Sequence, residues 1–260
     1  MIYDAHAYLG VDPSWGAWGL PVPLEGEQWV QLMDEAGITG VCVAPPSPGV
    51  VDDFRPDNER IAKAIREYPG RFFGYARAKP KRGQAALDDL RCWVEERGFH
   101  AVMMSTVDEY YQLIDRHLVD PVVETASQLS VPVFFHTDDT FGATSTPSMV
   151  ADIAADFPGT TFIIGPAGAS GGGGWSGEIL PALKRASNTV IVIDAVFRPN
   201  IIQPAVEAVG ADRVLMGSRA PYSPAALMPI FFRDHLPALT PEQKEAIMGR
   251  NLMRILGIKQ

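Results

Sequence analysis

Short apolar runs rich in β-branched and aromatic residues alternate along the chain with longer segments whose apolar positions recur every three to four residues. The runs at 2–6, 40–44, 72–76, 101–105, 131–136, 161–165, 190–194 and 214–217 are too short for buried helices and read as strands covered on both faces. The intervening segments at 27–36, 58–68, 85–97, 119–129, 148–157, 179–187 and 203–209 read as amphipathic helices, several closed by Gly or Pro, and a last one spans 242–256. Strand followed by helix, eight times over, calls for a parallel sheet with helical crossovers, and it closes a barrel more naturally than it builds two domains. The expectation is an α/β chain folded as one (β/α)8 TIM barrel over residues 1–260. No linker, composition shift or internal repeat divides it, and the one low-complexity stretch is the run of glycines at 171–174.

Composition adds limits. The 260 residues are 47% apolar and 20% charged, enough to bury one large core. No run approaches the roughly 18 uncharged apolar residues that span a bilayer, and Met1 leads straight into an acidic, strand-like segment instead of a basic and then apolar leader. A cytoplasmic protein is expected. A net charge of −9 without a basic cluster repels phosphate backbones, so neither nucleic acid nor a membrane surface is the expected partner, and a small-molecule substrate is. Assembly into a homo-oligomer is compatible with the sequence, which does not fix it. Cys42 and Cys92 lack a CxxC context and read as two buried thiols.

Several segments carry a family likeness in the right order and spacing. YDAHAYLG at 3–10 is similar to a first strand of the form Asp-x-His-x-His; the stretch 58–80 has a helix ending at Tyr-Pro followed by an Arg-Phe-x-Gly strand. VPVFFHT, TFIIGPAG and VLMGSRAPYS match the fifth, sixth and eighth strands, and EAIMGRNLMRILGI the closing helix with its Asn and final Leu-Gly. On these segments the chain resembles the amidohydrolase-related superfamily, a barrel family of metal-dependent hydrolases, along nearly its whole length.

That resemblance implies a ligand set which this sequence largely lacks. His6 and His136 match the first-strand and fifth-strand histidines, but Tyr8 stands at the second first-strand histidine, Pro166 at the sixth-strand histidine and Arg219 at the eighth-strand aspartate. A catalytic zinc normally takes three protein ligands, and a phenol must first lose a proton of pKa about 10. Arg219 puts a fixed positive charge where a carboxylate balances the metal elsewhere in the family. No metal and no cofactor are therefore expected.

Alternation along a strand puts Asp4, His6 and Tyr8 on one side, as it does His136 and Asp138, and barrel sites form at the C-terminal strand ends. A metal-free set follows: His136 as general acid or base, oriented by Asp138 or Asp194; Tyr8 as donor to an oxyanion; Arg219 as a clamp for a carboxylate or phenolate; with His6 and Ser105 beside them. Blander readings stand next to these. His6 and His136 are also explained as hydrogen-bonded core residues, Tyr8 as a filler of the missing ligand's volume, and Arg219 as a bridge to Asp194 or Asp138. Trp15 and Trp18, in the proline-rich segment after the first strand, either cover an apolar or aromatic substrate or fasten that loop. His100, His117 and His235 read as surface or packing residues, and the glycine-rich stretch after the sixth strand as a lid.

Three functions fit. The favoured one is an enzyme, hydrolase or lyase, that acts on a small carboxylated or aromatic molecule by metal-independent acid–base chemistry: lactone or C–C hydrolysis, decarboxylation, tautomerisation or cyclisation. A metal-dependent hydrolase with a reduced ligand set and a non-catalytic small-molecule-binding protein on the same barrel are the alternatives.

Overall fold

A computed structural model describes residues 1–46, 53–137, 144–166, 176–194 and 199–258. Eight parallel strands lie in sequential order: β1 (Tyr3–Tyr8), β2 (Gly40–Ala44), β3 (Phe72–Ala76), β4 (Ala101–Ser105), β5 (Val133–His136), β6 (Phe162–Gly165), β7 (Thr189–Asp194) and β8 (Val214–Gly217). Helices link them, and the sheet curls until its edges meet. At the seam the Arg219 N–H donates to the His6 carbonyl and the Tyr8 N–H to the Ala220 carbonyl, each at 2.8 Å. The architecture is a single (β/α)8 barrel.

Every strand residue is buried, which explains why the strands read as continuous apolar runs and not as alternating ones. The first strand runs two residues further than its pattern suggests, because Tyr8 still pairs with Ala44 on β2 and with the segment after β8. Helix Gly26–Ala36 is bounded by a capping box between Glu25 and Gln28 and by Gly37 in the left-handed region (φ 67°), so its ends lie within a residue of the expected ones.

The closing helix differs more. It is broken into Pro241–Glu245, a π-helical turn Ala246–Arg250, and Asn251–Ile255. Gly249, inside the wide turn, lies so near the start of β1 that an added Cβ would sit 2.8 Å from the Met1 carbonyl oxygen. The turn thus lets the helix seat closely on the barrel, and Asn251 fixes it there by donating to the carbonyls of Ala211 (2.7 Å) and Val214 (2.9 Å). Helices Ser14–Ala17, Thr106–Glu109 and Leu227–Asp234 lie in segments that periodicity did not mark. Among the described residues no helix is long and apolar enough to cross a membrane. Of the two thiols expected to be buried, Cys42 is, whereas Cys92 is only half-buried.

Candidate active site

Asp4, His6 and Tyr8 project from β1 to the barrel interior, where the His6 ring lies 4.6 Å from Phe134 of β5 and 5.0 Å from Tyr8, centroid to centroid. Asp4 is the deepest of the three. Its Oδ1 accepts from the His6 N–H (3.0 Å) and the Ser218 N–H (2.9 Å), tying β1 to the chain after β8. Burial raises its pKa to about 7, against the opposing pull of those N–H groups and the Ser218 hydroxyl.

His6 is held from across the barrel. Its Nδ1 bonds Oδ2 of Asp194, the last residue of β7, and both side chains are wholly buried. An ionised carboxylate only accepts, so Nδ1 carries the hydrogen and the lone pair is left on Nε2. Among the described residues Nε2 has no hydrogen-bond partner. Room for the pair is made by Gly217, which faces Asp194 in the β7–β8 register. A Cβ there would lie 2.8 Å from Val192 Cγ1, 3.1 Å from Asp194 Cβ and 3.2 Å from His6 Cβ.

His136 ends β5, between Ser105 on β4 and Gly165 on β6 in the parallel register, so all three face the interior. Its ring centroid is 6.3 Å from that of His6, and its carbonyl accepts from Ser145 Oγ at 2.9 Å. Tyr8 is buried, and burial pushes its hydroxyl above the ordinary tyrosine range while the Arg219 charge pulls it back. Arg219, half-buried at the mouth, adopts φ 58°, a left-handed conformation rare for a long side chain and common at functional sites.

The loop tryptophans separate. Trp15 is fully buried and meets the Tyr222 ring edge-on at 6.0 Å, whereas Trp18 is 58% exposed and meets the same ring at 5.7 Å. Tyr222 in turn lies 5.3 Å from Tyr8 and donates its hydroxyl to Asp12 at 2.5 Å, joining the loops after β1 and β8. Trp15 therefore meets the site through Tyr222. Asp194, expected as one partner for His136, is instead bonded to His6. Asp138 and the glycines at 171–174 lie outside the described residues. His100 is packed against Phe73 at 5.2 Å, while His117 and His235 are exposed, all three apart from this constellation.

Two further groups escaped the sequence reading. Asp12 and Tyr222 form the bridge just described. Arg77, just beyond β3, is wholly buried and bonds Glu109 (2.8 Å), Asp108 (3.1 Å) and the Pro45 carbonyl (3.1 Å), with Phe54 beneath its guanidinium. The alternation Phe73, Tyr75, Arg77 carried the signal that Arg77 turns inward.

The amidohydrolase family's sequence profile matches residues 3–258. The chain belongs to the amidohydrolase family. Comparison with curated protein sequences gives no significant match. Among solved structures, the fold is shared with 2,6-dihydroxybenzoate decarboxylase from Rhizobium (16% identity, 98% of each chain, TM-score 0.76). It is shared too with a 5-carboxyvanillate decarboxylase from Novosphingobium aromaticivorans holding manganese and a nitrobenzoic acid (16% identity, 99% of this chain and 97% of that, TM-score 0.79). A third is 4-oxalomesaconate hydratase from Rhodopseudomonas palustris (20% identity, 99% and 96%, TM-score 0.68).

Whether this amidohydrolase chain suits a metal is a question of donors. Among the described residues no three His, Cys, Asp or Glu side chains converge as a divalent site requires. His6 itself keeps an Nε2 with no partner among the described residues and Asp194 behind Nδ1, as many metal-bound histidines do. Tyr8, however, is held in its protonated form, and the guanidinium of Arg219 acts on that same phenol. These described donors do not fit a three-ligand divalent centre.

Proposed function

We propose that this protein is an enzyme, a hydrolase or lyase acting on a small carboxylated or aromatic molecule by acid–base chemistry that needs no metal. The observation that carries the reading is the buried His6–Asp194 pair, with Nε2 of the imidazole facing the barrel interior and unpartnered among the described residues.

In this reading Nε2 takes a proton from the substrate or from water. The imidazolium so formed is stabilised by the Asp194 carboxylate across Nδ1, and the same proton returns to the product, so charge balances over the cycle. Tyr8, neutral because burial favours its protonated form, donates to the oxygen on which negative charge develops. Arg219 holds the substrate's carboxylate, and His136 serves as the second proton carrier on the opposite wall. Trp18 and Tyr222 form the outer rim, Ser105 lines the mouth, and Asp138 follows His136 in sequence. C–C or lactone hydrolysis and tautomerisation can use Nε2 as the base and Tyr8 as the oxyanion donor, whereas decarboxylation uses the protonated imidazole to deliver a proton to carbon as CO2 leaves. The dihydroxybenzoate and carboxyvanillate decarboxylases that share the fold make aromatic carboxylates the first compounds to try.

A metal-dependent reading draws on the proximity of His6 and His136, whose ring centroids are 6.3 Å apart, and on the manganese in a fold neighbour. The test of the proposal is a screen of aromatic and aliphatic carboxylic acids and lactones for turnover and for proton exchange in D2O. For any compound that reacts, His136→Ala and His6→Gln should each slow the reaction about 100- to 10,000-fold. Wild-type rates in both variants would overturn it.

A further inference from the structure

The loop after β4 holds a second group of polar side chains that the acid–base scheme leaves unused. Ser105 closes β4 on the interior side, paired in register with His136. Its hydroxyl is buried and makes no hydrogen bond among the described residues. Glu109 follows one helical turn later. Its Oε1 accepts twice from Arg77, at 2.8 Å and 3.3 Å, while Oε2 is buried and has no hydrogen-bond partner among the described residues. Tyr111 adds a third such atom, its hydroxyl, 5% exposed as a residue. The three lie together: the Glu109 carboxyl acts on the Tyr111 phenol by its charge and by a side-chain interaction that falls short of full hydrogen-bond geometry, and the Ser105 N–H acts on the Glu109 carboxyl. A cavity of about 500 Å³ opens on the Tyr111 side of the group, bounded by Thr106, Tyr110, Tyr111 and Thr144.

Three buried polar atoms in and beside one short loop, none with a full hydrogen bond among the described residues, favour a ligand that supplies one. Their chemistry says what that is. Two hydroxyls both donate and accept, and Glu109 Oε2 accepts when ionised. Arg77 is shared with the half-buried Asp108, so the group as a whole carries one net negative charge, which repels a carboxylate and favours a donor. In a closed barrel of sequential strands β4 stands opposite β8, which places this loop across the mouth from Arg219.

The geometry points to a second polar subsite, made by Ser105, Glu109 and Tyr111, that binds a neutral hydroxyl group of the ligand while Arg219 holds its carboxylate on the opposite wall. The carboxylate half of this statement rests on the proposed function; the hydroxyl half does not. Glu109 has its pKa raised to about 7 by burial, against the pull of Arg77, so it accepts fully only above neutrality.

The test is calorimetric titration of the full-length protein at pH 8 with four probes: benzoate, phenol, 3-hydroxybenzoate and isophthalate. The subsite predicts that 3-hydroxybenzoate binds about tenfold more tightly than benzoate, the worth of one hydrogen bond to a charged group. Isophthalate, with a second carboxylate, should bind more weakly than 3-hydroxybenzoate. The hydroxyl advantage should fall to about twofold or less in the double variant Ser105→Ala/Tyr111→Phe, which leaves the Arg77 contacts in place, and again in Glu109→Gln. Phenol isolates the subsite: if benzoate fails to bind while phenol binds and depends on Ser105 and Tyr111, the carboxylate reading falls and the hydroxyl subsite stands. Isophthalate binding the more tightly, no binding of either hydroxylated probe, or hydroxyl-dependent affinity unchanged in both variants would overturn it.

Discussion

The imidazole of His6, on the first strand, and the carboxylate of Asp194, on the seventh, meet Nδ1 to Oδ2 inside the barrel with neither side chain exposed. Because the carboxylate fixes the hydrogen on Nδ1, replacing it with an amide removes both the charge and the tautomer preference. Asp194→Asn should keep the fold and lower turnover about 100- to 10,000-fold. Nitrogen NMR of the His6 ring checks the cause without a substrate: the wild type should show the Nδ1–H form near neutrality, and the variant a mixture. An unchanged tautomer in the variant would contradict the role given to Asp194.

Gly217 is the position at which this pairing meets the packing of the barrel. A methyl group there would sit 2.8 Å from Val192 Cγ1 and press on the Cβ atoms of Asp194 and His6. Gly217→Ala should cost about 1–3 kcal/mol in denaturant unfolding, the usual penalty of overpacking. It should also disturb the His6 ring signals. Gly37, whose added Cβ meets nothing within 4 Å, is not an equivalent control, because its φ of 67° strains any L side chain. Gly159→Ala, in open space and without positive φ, is the proper comparison and should be near neutral.

Arg219 holds a left-handed backbone conformation at φ 58°, which costs a non-glycine residue about 1–2 kcal/mol. Arg219→Gly relieves that strain while removing the guanidinium. The variant should be more stable than wild type by about 1 kcal/mol in urea, yet bind benzoate or other carboxylates at least about tenfold more weakly. A variant both less stable and unimpaired in carboxylate binding would show that Arg219 serves the fold and not the ligand.

Asp4 gives a pH signature. Its pKa in the folded protein is about 7, raised by burial from an ordinary value of 3.8, so the folded state binds the proton more tightly than the unfolded one. The contribution is therefore fully present below pH 4 and is lost as pH rises through 7. Asp4→Asn, which keeps an oxygen to accept from His6 and Ser218, should flatten that decline in stability between pH 4 and pH 7. A wild-type decline of the same size in the variant would assign the titration to other groups.

Much of this molecule was legible before its structure. The eight strands stood out because each is buried on both faces, and β2, β3, β4 and β8 have the bounds their apolar runs suggest. Positions on the strands were equally readable, since period-two alternation puts His6 and Tyr8 on one face and register sets His136 beside Ser105. Partnerships were not. That Asp194 bonds His6 depends on how β7 leans toward β1 across Gly217, a relation spread over more than 180 residues of chain. The Asp12–Tyr222 bridge and the Arg77–Glu109 pair join loops whose conformations no periodicity encodes. The break in the closing helix was invisible for the same reason, as it answers to the contact of Gly249 with Met1 and Tyr3.

The proposed acid–base chemistry proceeds without a divalent metal. A dication between His6 and His136 would share the low-dielectric mouth with the Arg219 guanidinium, and like charges there repel unless carboxylates intervene. The deciding measurement is elemental analysis of protein purified without added metal, together with turnover of an identified substrate before and after chelation. Far less than one zinc, iron or manganese per chain and an unchanged rate are expected. Stoichiometric metal that disappears in His6→Ala and His136→Ala, with activity lost on chelation and restored by one specific ion, would contradict it.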